Sequence, residues 1–220
     1  MITRAVIPAA GLGTRLLSAT KEQPKEMLPL FAANDDGVVC LKPVVQQIFE
    51  QLFDFGVREF YFVVGRGKRA IEDHFTPDRE FTDRLNSNGK KCEALQLESF
   101  YRRIEASTIV WVNQPKPRGF GDAVLQAERL VNKGLFFVHA GDTCLISRTH
   151  GLPIWLTEVH TKGHAEATLT LKEVQDPQQY GVAEVQEINE GIFEVRDVVE
   201  KPSCPRSKLA IMPIYVFNPS

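Results

Sequence analysis

Long apolar runs are missing from this chain. No stretch reaches the ~18 residues that a membrane-crossing helix needs, and the opening MITRAVIPAAG has too short an apolar run for a signal peptide. Neither a membrane span nor an export signal is expected, and a cytoplasmic protein without membrane partners is. An excess of either charge is missing too. With 26 basic and 28 acidic residues the formal charge is -2, so no global field gathers nucleic acid or an anionic lipid surface, and any bound anion needs a local site. Cysteine is sparse. Cys40, Cys92, Cys144 and Cys204 lie far apart with no C-x-x-C pair, which argues against a disulfide framework or a structural zinc. His160 and His164 stand four apart but lack a third ligand, and they read as plain surface histidines.

What remains is 220 residues, 43% hydrophobic, enough to bury one full core, and a single domain over 1–220 is expected. Ala5 to Pro8 form a short apolar run that ends in a glycine loop, as a strand buried on both faces would. KPVVQQIFEQLFDFG then places Val45, Ile48, Phe49, Leu52 and Phe53 at helical spacing, with Gly56 to end the helix. REFYFVVG at 58–65 reads as a strand, KRAIEDHF and the polar stretch through 103 as mostly helix, and STIVWVNQ at 107–114 as a strand. GDAVLQAERLV at 121–131 reads as a helix and GLFFVHAGD as another strand. Strands alternating with helices predict an α/β fold with a mostly parallel sheet covered on both faces, and a ligand site at the carboxyl ends of the strands. Ala10 to Arg15, Gln114 and Asp142 all fall at such ends. From about residue 165 the rhythm changes to strand-like segments, EATLTLKEV, YGVAEVQEI, GIFEVRDVVEKP and LAIMPIYVF, divided by turns.

The loop IPAAGLGTRLLSATKEQPKEMLPL, residues 7–30, fits neither familiar nucleotide loop. The third glycine of G-x-G-x-x-G is replaced by Leu16, the second strand ends in VVGRG without an acid, and G-x-x-x-x-G-K-[ST] does not occur there. A bare turn would need only the positive φ of Gly11 and Gly13. Arg15, Lys21 and Lys25 follow, however, on a segment stiffened by Pro24 and Pro29. Exposed backbone N–H groups followed by rigidly spaced cations make a device for holding a polyphosphate.

AVIPAAGLGTRLLSATKEQPKEMLPL resembles the N-terminal signature of the sugar-1-phosphate nucleotidyltransferases, most closely the UTP:glucose-1-phosphate uridylyltransferases of bacteria and archaea. The resemblance continues in order through NQPKPRGFGDAVLQA (113–127), AGDTCLI (140–146), QYGVAEV (179–185) and VVEKP (198–202). It implies a Rossmann-like three-layer sandwich with a mixed, mostly parallel central sheet. It also implies a Mg²⁺-dependent enzyme that joins a nucleoside triphosphate to a sugar 1-phosphate and releases pyrophosphate.

Carried over residue by residue, the resemblance makes Arg15, Lys25, Asp142 and Lys201 the catalytic set. Arg15 faces the leaving phosphates, Lys25 neutralises charge around the reacting ones, Asp142 holds the metal and Lys201 meets the sugar phosphate. Ala9, Ala10, Gly11, Gly13, Glu26, Gln114, Gly119 and Gly141 line the nucleotide. The Gln114 amide can both donate to and accept from a pyrimidine edge. Tyr180, Gly181 and Glu200 match positions that hold sugar hydroxyls.

Three departures stand out. Ser18 replaces a proline, and Asp122 stands where histidine is common in the G-L-G-H-A pattern. Met212 and Pro213 replace a glycine–arginine pair, and the chain ends seven residues after Pro213, before the family's usual tail with its further aspartate. Either the chain is truncated here or it dispenses with that half-site, in which case Asp142 bears the metal with phosphates and water alone, and a homo-oligomer remains open. Also open are a relative that uses dTTP, CTP or another sugar phosphate, and a non-catalytic module that binds nucleotide sugars.

Overall fold

The structure, a computed structural model, describes residues 2–34, 36–144 and 151–219, so Leu145 and Ile146 of the AGDTCLI stretch lie outside the described residues. The chain divides into two compact units, residues 1–146 with 219–220, and residues 147–218.

In the first unit the order is β1 (Arg4–Pro8), α1 (Leu17–Thr20), β2 (Pro29–Ala33), β3 (Val39–Pro43), α2 (Val44–Phe55) and β4 (Glu59–Val64). It continues with α3 (Arg69–His74), α4 (Arg79–Ser87), α5 (Lys91–Glu105), β5 (Thr108–Asn113), α6 (Phe120–Gln126) and β6 (Phe136–His139). Strands β5, β4, β1 and β6 lie side by side and all run parallel. Every residue from Phe60 to Val64 is buried, which is why β4 reads as a continuous apolar run and not as an alternating one. Helix α2 presents Phe49 to Phe60 and Phe100, with ring centroids 4.6 and 6.0 Å away, and Phe62 stacks on Trp111 at 4.9 Å. These aromatic contacts hold α2 and α5 against β4 and β5. Gly56 ends α2 at φ 121°, a backbone angle that side chains other than glycine's resist.

The elements follow the expected order with two differences. The helix foreseen over 121–131 ends at Gln126. Beyond it the chain tightens into three-residue turns that still carry Ala127 and Val131 into the core. Strands β2 and β3 form an antiparallel hairpin that sequence pattern did not reveal, because neither of its faces is buried. Phe31 is 80% and Leu41 60% exposed, so no alternation of apolar and polar residues marks it. Its turn is held by Asn34, whose Oδ1 accepts from the backbone of Asp36 and Val38.

The second unit carries α7 (Leu152–Lys162), β7 (Ala167–Glu173), β8 (Gly181–Asn189), β9 (Ile192–Glu200) and β10 (Leu209–Phe217). Its strands pair antiparallel in the order β7, β10, β8, β9. Pro213 sits where the β10–β7 register shifts, between Met212 and Tyr215, the position a residue without an N–H can occupy in a strand. His160 corrects the expectation of a surface histidine. It is 2% exposed, with Nδ1 2.9 Å from Thr168 Oγ1 and Nε2 3.4 Å from Asn218 Oδ1. It therefore ties α7 to the start of β7 and the end of β10. All four cysteines are free.

His74 carries the clearest pH consequence. Gln46 donates through Nε2 to Glu50, so its Oε1 must accept from Nε2–H of His74, which lies 2.9 Å away. Burial pushes the His74 pKa down to about 4 from 6.5. Between those values the unfolded chain binds a proton that the folded one refuses, so stability is full above pH ~6.5 and falls as pH drops toward 4, by roughly 3 kcal/mol from this group. Urea unfolding at pH 7 and pH 4.5 should show that loss, and His74→Gln should flatten the slope.

Candidate active site

The carboxyl ends of the parallel strands are packed closely enough to favour small residues, most tightly at Gly141. Ala9 and Ala10 are 1% and 7% exposed, and the N–H of Ala9 still donates to Val63. The N–H of Gly141 donates to Pro8 O, and a Cβ there would stand 3.2 Å from that same oxygen and 3.3 Å from Ala9 Cβ. Beside them, a Cβ on Gly65 would meet Ala10 Cβ at 3.5 Å and Gln114 O at 3.6 Å. Ala9, Ala10, Gln114 and Gly141, foreseen as nucleotide contacts, thus share one edge of the sheet.

The glycine loop leaves this edge and turns back on itself. Gly13 adopts φ 70°, and a Cβ there would crowd Thr20 Oγ1 at 3.0 Å. The Thr20 hydroxyl reaches Gly13 O at 2.8 Å and Leu16 O at 2.9 Å, clasping the turn that carries Thr14–Leu16. Arg15 projects from this clasped turn, exposed, with no acidic partner among the described residues. Lys21 is also exposed, and its ammonium lies 3.4 Å from Glu22, as a solvated loop lysine would.

Lys25 returns to the sheet edge. Its Nζ is 2.5 Å from Asp142 Oδ2, and a Cβ on Gly11 would stand 3.1 Å from that ammonium, so Gly11 lets the charge lie against bare backbone. Burial alone would raise the Asp142 pKa, but Lys25 and the Thr143 hydroxyl hold it below the usual carboxylate range. Glu26, next to Lys25 in sequence, is buried. At 1% exposure its carboxylate meets Lys68 Nζ at 2.8 Å, so it braces the loop instead of facing an open space. Burial raises the Glu26 pKa against the opposing pull of Lys68 and Lys25. Lys68 and Thr20 are supporting residues that motif reading passed over. The GRGK that follows β4 was the available signal for Lys68.

Gln114 is 4% exposed. Its Nε2 donates to Asp122 Oδ2 at 2.7 Å and to Gly119 O at 3.2 Å. Arg118 binds the other oxygen of Asp122 at 3.0 Å. Gly119 opens α6 at φ 110°, which makes glycine the fitting residue at this helix start.

A second cluster belongs to the second unit. Gly181 pairs with Glu200 across β8 and β9, and a Cβ on Gly181 would lie 3.1 Å from Glu200 Oε2. Lys201 N donates to Tyr180 O at 3.0 Å, and Lys201 Nζ meets Glu200 Oε1 at 2.8 Å. Lys201 itself adopts φ 45°, a left-handed backbone that costs a lysine of order 1 kcal/mol and is held by the bond of its N–H to Tyr180 O. Tyr180, Gly181, Glu200 and Lys201 are therefore neighbours, as the sequence implied.

Within the first unit the arrangement supplies cations, exposed backbone and one ionised carboxylate at the edge of a rigid sheet. That donor set suits a hard divalent cation held by one carboxylate together with phosphate oxygens. Among the described residues no group of three or more His, Cys, Asp or Glu side chains is placed to hold a metal, so a protein-only metal cage is not what these residues build. Nor is any helix of the described residues long and apolar enough to cross a membrane.

Residues 4–220 match the Nucleotidyl transferase family. The chain is 35% identical to the UTP–glucose-1-phosphate uridylyltransferase YngB of Bacillus subtilis, over 100% of this chain and 70% of that protein. Among solved structures it is similar to a UDP-glucose pyrophosphorylase complexed with UDP-glucose, at 30% identity and a TM-score of 0.80, covering 100% of this chain and 77% of that one. The UTP-bound enzyme of Acinetobacter baumannii is similar at 28% identity and a TM-score of 0.83, covering 99% and 75%. These likenesses establish the α/β nucleotidyltransferase fold.

The buried Glu26–Lys68 pair predicts a stability effect. Lys68→Met strands a carboxylate at 1% exposure and should cost about 3 kcal/mol at pH 7 in urea unfolding. Because burial raises the Glu26 pKa, the cost should shrink as pH falls and Glu26 takes up a proton, and adding Glu26→Gln to Lys68→Met should recover most of it.

Proposed function

The chain belongs to the nucleotidyl transferase family, and from that premise we propose that it joins UTP to glucose 1-phosphate, forming UDP-glucose and releasing pyrophosphate. The observation that carries the proposal is the Lys25–Asp142 pair, a cation and an ionised carboxylate 2.5 Å apart against a glycine loop. The relatives' names support the choice of UTP and glucose 1-phosphate.

In this reaction a phosphate oxygen of the sugar phosphate, already anionic, attacks the α-phosphorus of the nucleotide. The new P–O bond forms as the bond to the β-phosphate breaks, and pyrophosphate carries away the electron pair. No proton needs to be removed from the nucleophile. The obstacle is repulsion between two anions, so the protein's contribution is positioning and charge neutralisation.

Arg15 binds the leaving phosphates with its planar fork, from a turn that Thr20 keeps rigid. Lys25 shifts toward the phosphate oxygens when they arrive, which frees a carboxylate oxygen of Asp142. That oxygen would hold Mg²⁺, and the ion would supply further charge neutralisation on the phosphates. Gly11 and Gly13 leave the backbone open for close approach. Gln114 and Gly119 meet the base, and Tyr180, Gly181, Glu200 and Lys201 meet the sugar phosphate. Glu26 acts at one remove, by keeping Lys25 in place.

A binding module for nucleotide sugars would have little use for an exposed arginine on a clasped turn, so the catalytic reading is favoured. Pyrophosphate release should be strongest with UTP when UTP, dTTP, CTP, ATP and GTP are compared with glucose 1-phosphate and Mg²⁺. Arg15→Ala should weaken the binding of UTP with Mg²⁺ by about tenfold or more and that of UDP-glucose far less. Equal losses for the two ligands would remove the role given to Arg15.

A further inference from the structure

We propose that Asp122 is a positioning residue that locks the side-chain amide of Gln114 in one orientation, and that this lock favours uracil or thymine over cytosine at the nucleotide site. The inference rests on the nucleotidyltransferase reading and deepens it.

The orientation of a glutamine amide is normally ambiguous, because its oxygen and nitrogen ends have the same shape. Here it is not, since both groups at one end of Gln114 can only accept. These are Asp122 Oδ2 at 2.7 Å and the carbonyl of Gly119 at 3.2 Å. Together they use both hydrogens of the NH₂ end, and the shorter, charge-assisted bond to Asp122 is the one strong enough to hold that end in place, the longer bond to the Gly119 carbonyl being too weak to do so alone. Arg118 occupies Oδ1 of Asp122 through Nε at 3.1 Å and Nη2 at 3.0 Å, which leaves Oδ2 turned toward Gln114. The 4% exposure of Gln114 leaves the amide little room to rotate. What it presents beyond these contacts is Oε1, an acceptor that no donor among the described residues meets.

A fixed lone acceptor reads the edge of a pyrimidine. Uracil and thymine carry their only N–H at ring position N3, in the middle of that edge. Cytosine carries a lone pair there, which repels Oε1. If the amide could turn over, its NH₂ would serve cytosine equally well and the two bases would be separated less. Asp122 prevents the turn. Its negative charge also weakens every triphosphate alike, an effect on affinity that does not select among bases.

Titration calorimetry of the full chain with UTP and with CTP, each in Mg²⁺, tests this without requiring turnover. The wild type should prefer UTP, Asp122→Ala should reduce the UTP:CTP affinity ratio by about fivefold or more, and Asp122→Asn should keep the ratio, because its Oδ1 still accepts from Gln114. An Asp122→Ala protein that binds both nucleotides with the wild-type ratio overturns the lock while leaving the enzyme reading intact. Wild-type protein that binds neither nucleotide overturns both.

Discussion

The ion pair between Lys25 and Asp142 is the contact on which the rest of the site depends. A polyphosphate site needs positive charge held close together, and cations so placed repel one another unless countercharges fix them. Here a carboxylate at the end of β6 takes one face of the lysine, while the residue next to it in sequence, Glu26, is anchored by Lys68 from the end of β4. The loop between β1 and β2 is thereby fastened to two neighbouring strands, and Arg15 can stay exposed because its turn is closed by Thr20 and does not rest on a salt bridge of its own.

The same edge explains the small residues. Parallel strands that are buried on both faces deliver their loops to one end of the sheet, and there backbone meets backbone. A Cβ on Gly141 would crowd Pro8 O and Ala9 Cβ, and one on Gly65 would come into contact with Ala10 and Gln114. Larger side chains would push apart the strand ends that set the spacing of Lys25 and Asp142. Packing and chemistry therefore impose the same residues, and the fold's tolerance for change is lowest where its function lies.

The order of strands and helices was legible because the buried strands are rich in aromatic and β-branched residues and the helices carry clear apolar stripes. The β2–β3 hairpin escaped because it has no buried face, and His160 was misjudged because four-residue spacing cannot tell an inward face from an outward one. At the site, Arg15, Lys25, Asp142 and Gln114 were legible through the density of the motif around them. Their supports were not. Lys68 lies 42 residues from Glu26 and Asp142 lies 117 from Lys25, and a partnership across such distances is created by the sheet, not by local spacing. Asp122 shows the reverse. It looked like an extra charge beside the nucleotide, and its hydrogen bond to Gln114 gives it a specific task.

The central claim is that Lys25 and Asp142 form the phosphate and metal site. The affinity of the chain for UTP, measured with and without Mg²⁺ in the wild type and in Asp142→Asn, tests it most directly. The account predicts a metal-dependent gain in the wild type that disappears in the variant, while metal-free binding persists. A gain of equal size in both proteins would contradict it.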